Sequence, residues 1–319
     1  MKILVTGGAG FIGSNLAIAL QELGHQVTII DNFSSGHFRN LVGFNGNVIT
    51  RNIEECLPLI LEELAGDSDV IFHQASITDT TVMDQYQMIH SNVEGFRNVL
   101  QFAAKRKIRL IYASSAGVYG DGKIPMREDQ MLNPLNSYGF SKVVMDNIVK
   151  SFIEKETAPV IVGLRYFNVF GPREASKGKA ASMIYQLAWQ MKQNKRPRIF
   201  SDGEQRRDHI YVKDVVAANL KAMTSEKSGI VNVGSGDATT FNRLIEILNE
   251  VLKTDLAPDY FENPYTGAYQ DETVADIQLA EELIGFKAKY SVEEGVREYL
   301  YEIPRTTSGN SHQYRFTHR

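Results

Sequence analysis

The chain has 319 residues, 43% hydrophobic and 23% charged, a globular balance that excludes wholesale disorder and suits about two domains or one large α/β unit. Lys and Arg number 34 against 38 Asp and Glu, a formal charge of −4, which offers no electrostatic footprint for nucleic acid or an anionic membrane. Cys56 is the only cysteine, the opening apolar run is no longer than Ile3-Leu4-Val5, and no stretch of about 18 apolar residues occurs, so the expected setting is the reducing cytoplasm.

In chain order, Ile3-Leu4-Val5 is a short apolar strand that runs into Gly7-Gly8-Ala9-Gly10-Phe11-Ile12-Gly13. Leu16, Ala19, Leu20 and Leu23 follow at helical spacing, with Gly24 at the helix C-terminus. Residues 27–30 form the next strand, which ends in Asp31, and 70–72, 109–112 and 160–164 read as further buried parallel strands. Helices are expected over 93–105 and 141–154, then over 180–193, 213–224, 241–252 and 277–283, with short strands at 198–200 and 229–233. This alternation predicts an α/β fold, a doubly wound parallel sheet of Rossmann type with a smaller interleaved C-terminal substrate lobe. The expected division is a dinucleotide-binding domain over 1–166 plus about 210–233, a lobe over 167–209 and 234–303, and a poorly ordered polar tail over 304–319.

Gly7, Gly10 and Gly13 stand at a strand-to-helix turn, where they serve a tight turn, close approach of backbone to a pyrophosphate, and close contact of helix with sheet. The helix N-terminus adds unpaired N–H groups and partial positive charge. A glycine pattern alone fits a flexible turn equally well. Strand, loop, helix, strand and terminal acid all in order argue for a dinucleotide, with Asp31 accepting a ribose hydroxyl. Asp31 repels a 2′-phosphate, whereas His37 and Arg39, if they are not simply solvated, answer one, so the cofactor is NAD or NADP.

Tyr138 and Lys142 lie one turn apart on a helix face in Tyr138-Gly139-Phe140-Ser141-Lys142. An ammonium and an oxidised nicotinamide both favour phenolate, which draws a phenol down from its usual pKa of about 10 toward a general base. Such pairs also arise by chance on surface helices. Ser115, at the end of a buried strand in Ser114-Ser115-Ala116-Gly117-Val118-Tyr119, adds a hydroxyl where doubly wound sheets bind ligands, unless it serves ordinary turn chemistry. The 7 histidines show no metal-ligand spacing, so no metal is expected.

Thr6-Gly7-Gly8-Ala9-Gly10-Phe11-Ile12-Gly13, Asn92-Val93-Glu94-Gly95, the Ser115, Tyr138 and Lys142 set, and Arg165-Tyr166-Phe167-Asn168-Val169-Phe170-Gly171-Pro172-Arg173 together resemble the extended short-chain dehydrogenase/reductase superfamily, the NAD-dependent epimerases and dehydratases. The resemblance runs from Met1 to about Tyr301 and implies tightly bound NAD(P) and a nucleotide-diphosphate sugar. It places Phe11, Ile12, Asn32, His37, Asn52 and Ile53 at the cofactor beside the glycines and Asp31. Gln74, Ala75, Ser76, Asn92 and Val169 join them, and Tyr138 and Lys142 serve both cofactor and catalysis.

Within that superfamily, Pro172-Arg173-Glu174-Ala175-Ser176-Lys177-Gly178-Lys179-Ala180-Ala181-Ser182 is similar to a segment of the ADP-L-glycero-D-manno-heptose 6-epimerases. So are Asp79-Thr80-Thr81, after Phe72-His73-Gln74, and Gly267-Ala268-Tyr269-Gln270. The likeness implies inversion at C6 of an ADP-linked heptose by transient oxidation, with Tyr138 and Lys177 as the two bases. It assigns the substrate to Thr78, Asn168, Lys179, Gln186, Phe200, Arg207 and Tyr269, and implies a homo-oligomer. Lys177 is otherwise a solvated or phosphate-pairing lysine, and Arg206 and Arg207 an exposed charge cluster, with the inward member open. A UDP-hexose 4-epimerase is the main rival, since it has no need of Lys177. A non-enzymatic NAD(P)-sensing protein would tend to lose the Tyr–Lys pair. A 4,6-dehydratase would carry acids where Ala116 and Gly117 stand, and a GDP-fucose synthase would need a pocket cysteine, whereas Cys56 lies outside every motif.

Overall fold

The computed structural model describes residues 1–79, 84–154, 158–263 and 272–302. The first half alternates β1 (Lys2–Thr6), α1 (Phe11–Glu22), β2 (Gln26–Asp31), β3 (Asn47–Thr50), α2 (Pro58–Ala65), β4 (Val70–His73), α3 (Gln85–Arg106), β5 (Arg109–Ser115), α4 (Ser137–Ile153) and β6 (Ile161–Tyr166). Then come β7 (Asn168–Phe170), α5 (Met183–Lys192), β8 (Arg198–Phe200), β9 (Arg206–Arg207), β10 (His209–Tyr211), α6 (Val212–Met223) and β11 (Gly229–Val233). The last described elements are β12 (Thr239–Thr240), α7 (Phe241–Leu252), β13 (Asp259–Phe261), β14 (Glu272–Thr273), α8 (Gln278–Ile284) and α9 (Val292–Glu302).

Seven parallel strands form one sheet in the order β3-β2-β1-β4-β5-β6-β11. Every residue of β4 and β6 is buried, which is why these segments read as continuous rather than alternating apolar runs. Helices cover both faces. Leu16, Leu20, Val215 and Ala218 belong to the apolar cluster on one side, and Phe96, Val99, Met145 and Val149 to that on the other. A third cluster, with Phe170, Ile184, Leu187, Phe241, Leu244 and Val296, forms the core of a smaller lobe. Since α6 and β11 return to the sheet between the lobe's segments, sheet and lobe are threaded together.

The strand order reverses between β1 and β4, so the loops leaving their C-terminal ends part and open a crevice. At its floor the two loops touch. Gly7 has φ +68°, and a Cβ there would lie 2.6 Å from the Ala75 nitrogen. A Cβ on Gly13 would overlap the Gly7 carbonyl, so the first turn of α1 rests directly on the loop that precedes it.

Two helices begin earlier than their apolar periodicity predicts. Asn136 accepts the Gly139 N–H and starts α4 at Ser137, and Asp84 accepts the Gln87 N–H at the head of α3. The earlier start of α4 puts Tyr138 in its first turn. Strand β3 is unheralded in the sequence because it is a largely exposed edge with no apolar run. The tail over 304–319 lies outside the described residues. Among the described residues no helix is long and apolar enough to cross a membrane.

Gly13→Ala forces the start of α1 away from Gly7, and overpacking of this kind costs about 1–3 kcal/mol. Denaturant unfolding of the variant should show a lower midpoint, and its dinucleotide affinity should fall with it.

Candidate active site

The C-terminal end of β2 delivers Asp31 to the glycine loop. One carboxylate oxygen accepts the Ala9 N–H at 2.9 Å and the other the Phe33 N–H at 2.7 Å. Burial raises this carboxyl above the ordinary range while both bonds pull it back, and each oxygen keeps a lone pair for a further donor. No side chain caps α1, so its first-turn N–H groups are left to an anion, and the direction of a Cβ on Gly10 meets only the Gly7 oxygen at 3.2 Å. An uncapped helix start, a loop of bare backbone and a terminal carboxylate fit a dinucleotide.

The surrounding loops close against this cradle. His37 gives its N–H to the Ala9 carbonyl, and its ring accepts the Arg39 N–H at 3.1 Å. Asn32 donates to Asn52 at 2.9 Å, and Asn52 to Glu54 at 2.9 Å, which fastens the ends of β2 and β3 together. Gly95 makes room on α3 for Ile53, whose Cγ2 would lie 2.8 Å from a Cβ there.

On the loop after β4, it is the backbone of Gln74 and Ala75 that meets the glycine loop. The Gln74 side chain instead accepts from Tyr166 at 3.1 Å and donates to Asn219 at 3.1 Å. Ser76 donates to the Ile77 carbonyl at 3.4 Å, and Thr78 is exposed. Buried Asn92 accepts the Ile77 N–H at 2.7 Å and donates to the Ile77 carbonyl at 3.1 Å and to Ser141 at 3.0 Å. It thereby ties this loop to α4.

Tyr138 and Lys142 face β5 from one side of α4. The Lys142 ammonium donates to the Ala113 carbonyl at 2.9 Å and lies 5.7 Å from the centre of the Tyr138 ring. Ser115 accepts the Gly117 N–H at 3.1 Å, and its hydroxyl lies near enough to the Tyr138 phenol to favour the phenolate. Burial pushes Lys142 down to about 7, with the charge of Asp146 opposing. Burial also pushes the Tyr138 phenol up, against the effect of the Ser115 hydroxyl. The expected depression of the phenol by Lys142 is therefore absent from the protein alone. A buried amine that is itself close to losing its proton cannot offset the cost of placing a phenolate there.

Lys177 lies on the short helical turn over 174–180, which packs against α1. Its ammonium lies 5.9 Å from the centre of the Phe11 ring at the start of α1. Burial lowers its pKa, while the carboxylates of Glu174 and Asp79 oppose. Glu174 is fully buried and staples the segment's ends: it accepts the N–H of Gly171 at 3.0 Å, that of Ser182 at 2.7 Å, and the Ser182 hydroxyl at 3.0 Å. Asn15 on α1 donates to the Pro172 carbonyl and accepts from Arg173, and Asn40 donates to both Ala9 and Ser176.

On the lobe side, Arg207 is buried, whereas Arg206 is exposed and paired with Glu272 at 3.0 Å, so Arg207 is the inward member. Asn168 donates to the Asp208 carbonyl and to Thr273 and so joins β7 to the residue between β9 and β10 and to β14. Gln186 spends its donors on the carbonyls of Lys179 and Ala181, and the Lys179 side chain is exposed at the rim. Half-buried Phe200 meets the edge of Phe261, and Val169 packs against both the sheet cluster and the lobe core. Tyr269, Thr80 and Thr81 lie outside the described residues.

Sequence reasoning overlooked Glu174 and Asp208. The Asp208 carboxylate accepts from the Ser235 N–H and hydroxyl and from the N–H groups of Gly236 and Ala275. A lone acid amid Arg206, Arg207 and His209 was the available signal, as was Glu174 between Arg173 and Lys177.

The profile of the NAD dependent epimerase/dehydratase family matches residues 3–234. Among solved structures, ADP-L-glycero-D-manno-heptose-6-epimerase from Helicobacter pylori is 42% identical, covering 94% of this chain and 95% of that one, with a TM-score of 0.87. UDP-glucose 4-epimerase from Thermotoga maritima, solved with UDP-glucose, is 33% identical over 94% of this chain and 98% of that one, also at 0.87. UDP-glucuronic acid 4-epimerase from Bacillus cereus, solved with UDP-glucuronic acid and NAD, is 28% identical over 94% and 98%, at 0.82. The chain belongs to the NAD dependent epimerase/dehydratase family. Of the NAD or NADP expected from the glycine loop and Asp31, NAD is that family's cofactor.

Glu174→Ala leaves the N–H groups of Gly171 and Ser182 without their acceptor, at about 1–3 kcal/mol for each buried group left unpaired. Denaturant unfolding should register the loss, and limited proteolysis should cut faster within 171–182.

Proposed function

We propose that this protein is a nucleotide-sugar epimerase that inverts C6 of an ADP-linked heptose by transient oxidation. The observation that carries the reading is Lys177, an amine lowered by burial and held over Phe11, beside Asp79, on a segment pinned to the cofactor's glycine loop. The 42% identity to the H. pylori heptose epimerase supports the choice of sugar. A cytoplasmic setting enters the proposal from the single cysteine and the absence of a long apolar run, and a homo-oligomer from the resemblance of the sequence.

Bound nicotinamide supplies a reversible acceptor for the hydride of the sugar carbon. Ser115 and Tyr138 hydrogen-bond the hydroxyl that is being oxidised, and Tyr138 receives its proton. Lys142, fixed on the Ala113 carbonyl, holds the ribose side of the cofactor, and the positive charge of the oxidised nicotinamide would favour the phenolate that Lys142 alone does not. Inversion at the carbon would need a proton carrier on each side of it. Lys177 is the second carrier, because burial lowers its pKa from the usual lysine range and so eases release of a proton. Arg207 meets the diphosphate, with Asn168 beside it on the lobe wall.

A UDP-hexose 4-epimerase is the second reading, favoured by the 33% identity to the T. maritima enzyme. Incubation with ADP-D-glycero-D-manno-heptose should yield the L-glycero epimer, while UDP-glucose should be left unchanged; the reverse pattern selects the second reading. Tyr138→Phe and Lys177→Met should each slow heptose epimerisation by at least about a hundredfold, the lower range for proton-transfer groups. Full activity in Lys177→Met removes the two-base account.

A further inference from the structure

Beneath the Tyr138–Lys142 pair lies a set of fully buried charges that the mechanism does not use. Asp146 stands one turn beyond Lys142 on α4 and is 0% exposed, as is Arg165 on β6. One Asp146 oxygen accepts the Tyr112 hydroxyl of β5 at 2.8 Å, and the other accepts Arg165 Nε at 2.9 Å. Arg165 goes on to donate to the Tyr119 hydroxyl at 2.8 Å, with the Tyr119 ring 4.9 Å beneath its guanidinium. Tyr119 donates to Asn232 of β11 at 2.6 Å. The inner half of α4 is thus bolted to three neighbouring strands, and β6 carries Gly163 where a Cβ would lie 2.5 Å from the Tyr112 hydroxyl.

A buried ion pair contributes little net stability, because desolvation cancels most of its attraction, and apolar side chains of similar size often serve as well. Arg165 even leaves Nη2 without a partner. Stability alone is a weak reason to put such a pair directly under α4. We propose that Asp146 and Arg165 are a positioning pair, which holds α4 in register on the sheet and sets the electrostatic environment of Tyr138 and Lys142 from below.

Most of the other ionisable groups around the unit are neutral, and Glu128 is the further acid that faces Arg165. His73 on β4 is pushed down to about 3 by burial, and so is neutral. Tyr112 on β5, Tyr166 on β6 and Tyr119 on the loop after β5 are all raised by burial, and so are neutral too. Glu128 on that loop, itself raised by burial, accepts the Asn232 N–H, and its backbone carbonyl takes a bond from Arg165. On α4, Asp146 is the anion that opposes the cost of charging Lys142.

The inference rests on Tyr138 as the acid/base group. Loss of the Asp146 carboxylate makes the surroundings more positive, which favours phenolate and neutral amine, so both titrations move to lower pH. Loss of the Arg165 guanidinium moves them to higher pH. Carbon-13-labelled tyrosine in the cofactor-free protein, with the Tyr138 signal identified by its absence in Tyr138→Phe, follows the phenol by NMR. In Asp146→Asn its midpoint should fall by about one pH unit, and in Arg165→Met rise by a similar amount, with the pH–rate profile moving in the same directions. Arg165→Lys should restore the parent profile. If the midpoint stays fixed, or moves the same way in both variants, the proposal is overturned, as it is if kcat falls equally at every pH. Should one single variant not fold, the other decides alone, since each predicts its own sign. Tyr138→Phe with full activity would instead defeat the underlying reading, whatever the NMR midpoints do.

Discussion

The rest of the structure depends on one close approach, that of the loop after β1 to the loop after β4. The two strands are adjacent in the sheet, yet their connections leave to opposite sides, and the backbone at Gly7 and Ala75 is what separates the loops. A side chain at Gly7 would drive them apart. Everything that faces the crevice is placed with respect to this contact. Phe11 starts the helix above it, Asn92 fastens the far side of the β4 loop to α4, and Asn40 carries the near side across to Ser176. The candidate catalytic groups are contributed by elements that pack around this reversal.

A second constraint is electrostatic. The site collects amines, Lys142 and Lys177, in surroundings that resist charge, and answers them with carboxylates that are themselves buried. Glu174 serves Lys177 while it staples a loop, and Asp146 serves Lys142 while it anchors a helix. Each acid holds its neighbours by hydrogen bonds to its oxygens and acts on a lysine through its charge, so the geometry of the site and its proton affinities are not independently adjustable.

The sheet and the cofactor cradle were legible in the sequence because their signals are local. Apolar runs mark the strands, Gly7, Gly10 and Gly13 sit within one turn of chain, and Asp31 closes the strand it belongs to. Tyr138 and Lys142 were legible for the same reason, although the start of α4 was not, because an asparagine cap rather than an apolar residue sets it. What stayed hidden was made by residues distant in sequence. The carboxylate of Asp208 gathers Ser235, Gly236 and Ala275, and Arg165 reaches Asp146, Tyr119 and the carbonyl of Glu128. A charged side chain reads as surface until its partners are known. Edge strand β3 was missed for the opposite reason, since it buries too little to leave an apolar signature.

The threading of lobe through sheet bears on how such an enzyme changes its sugar. The lobe's core draws on Phe170 and Ile184 before the chain returns to the sheet as α6 and β11, and on Phe241, Leu244 and Val296 after it. No single cut in the gene separates the lobe from the cofactor domain, so it cannot be inherited as a cassette from a relative with another preference. New specificity has to arrive by substitution in place, while the sheet beneath is kept. Close likeness in fold across enzymes that act on different nucleotide sugars is the record such a history leaves.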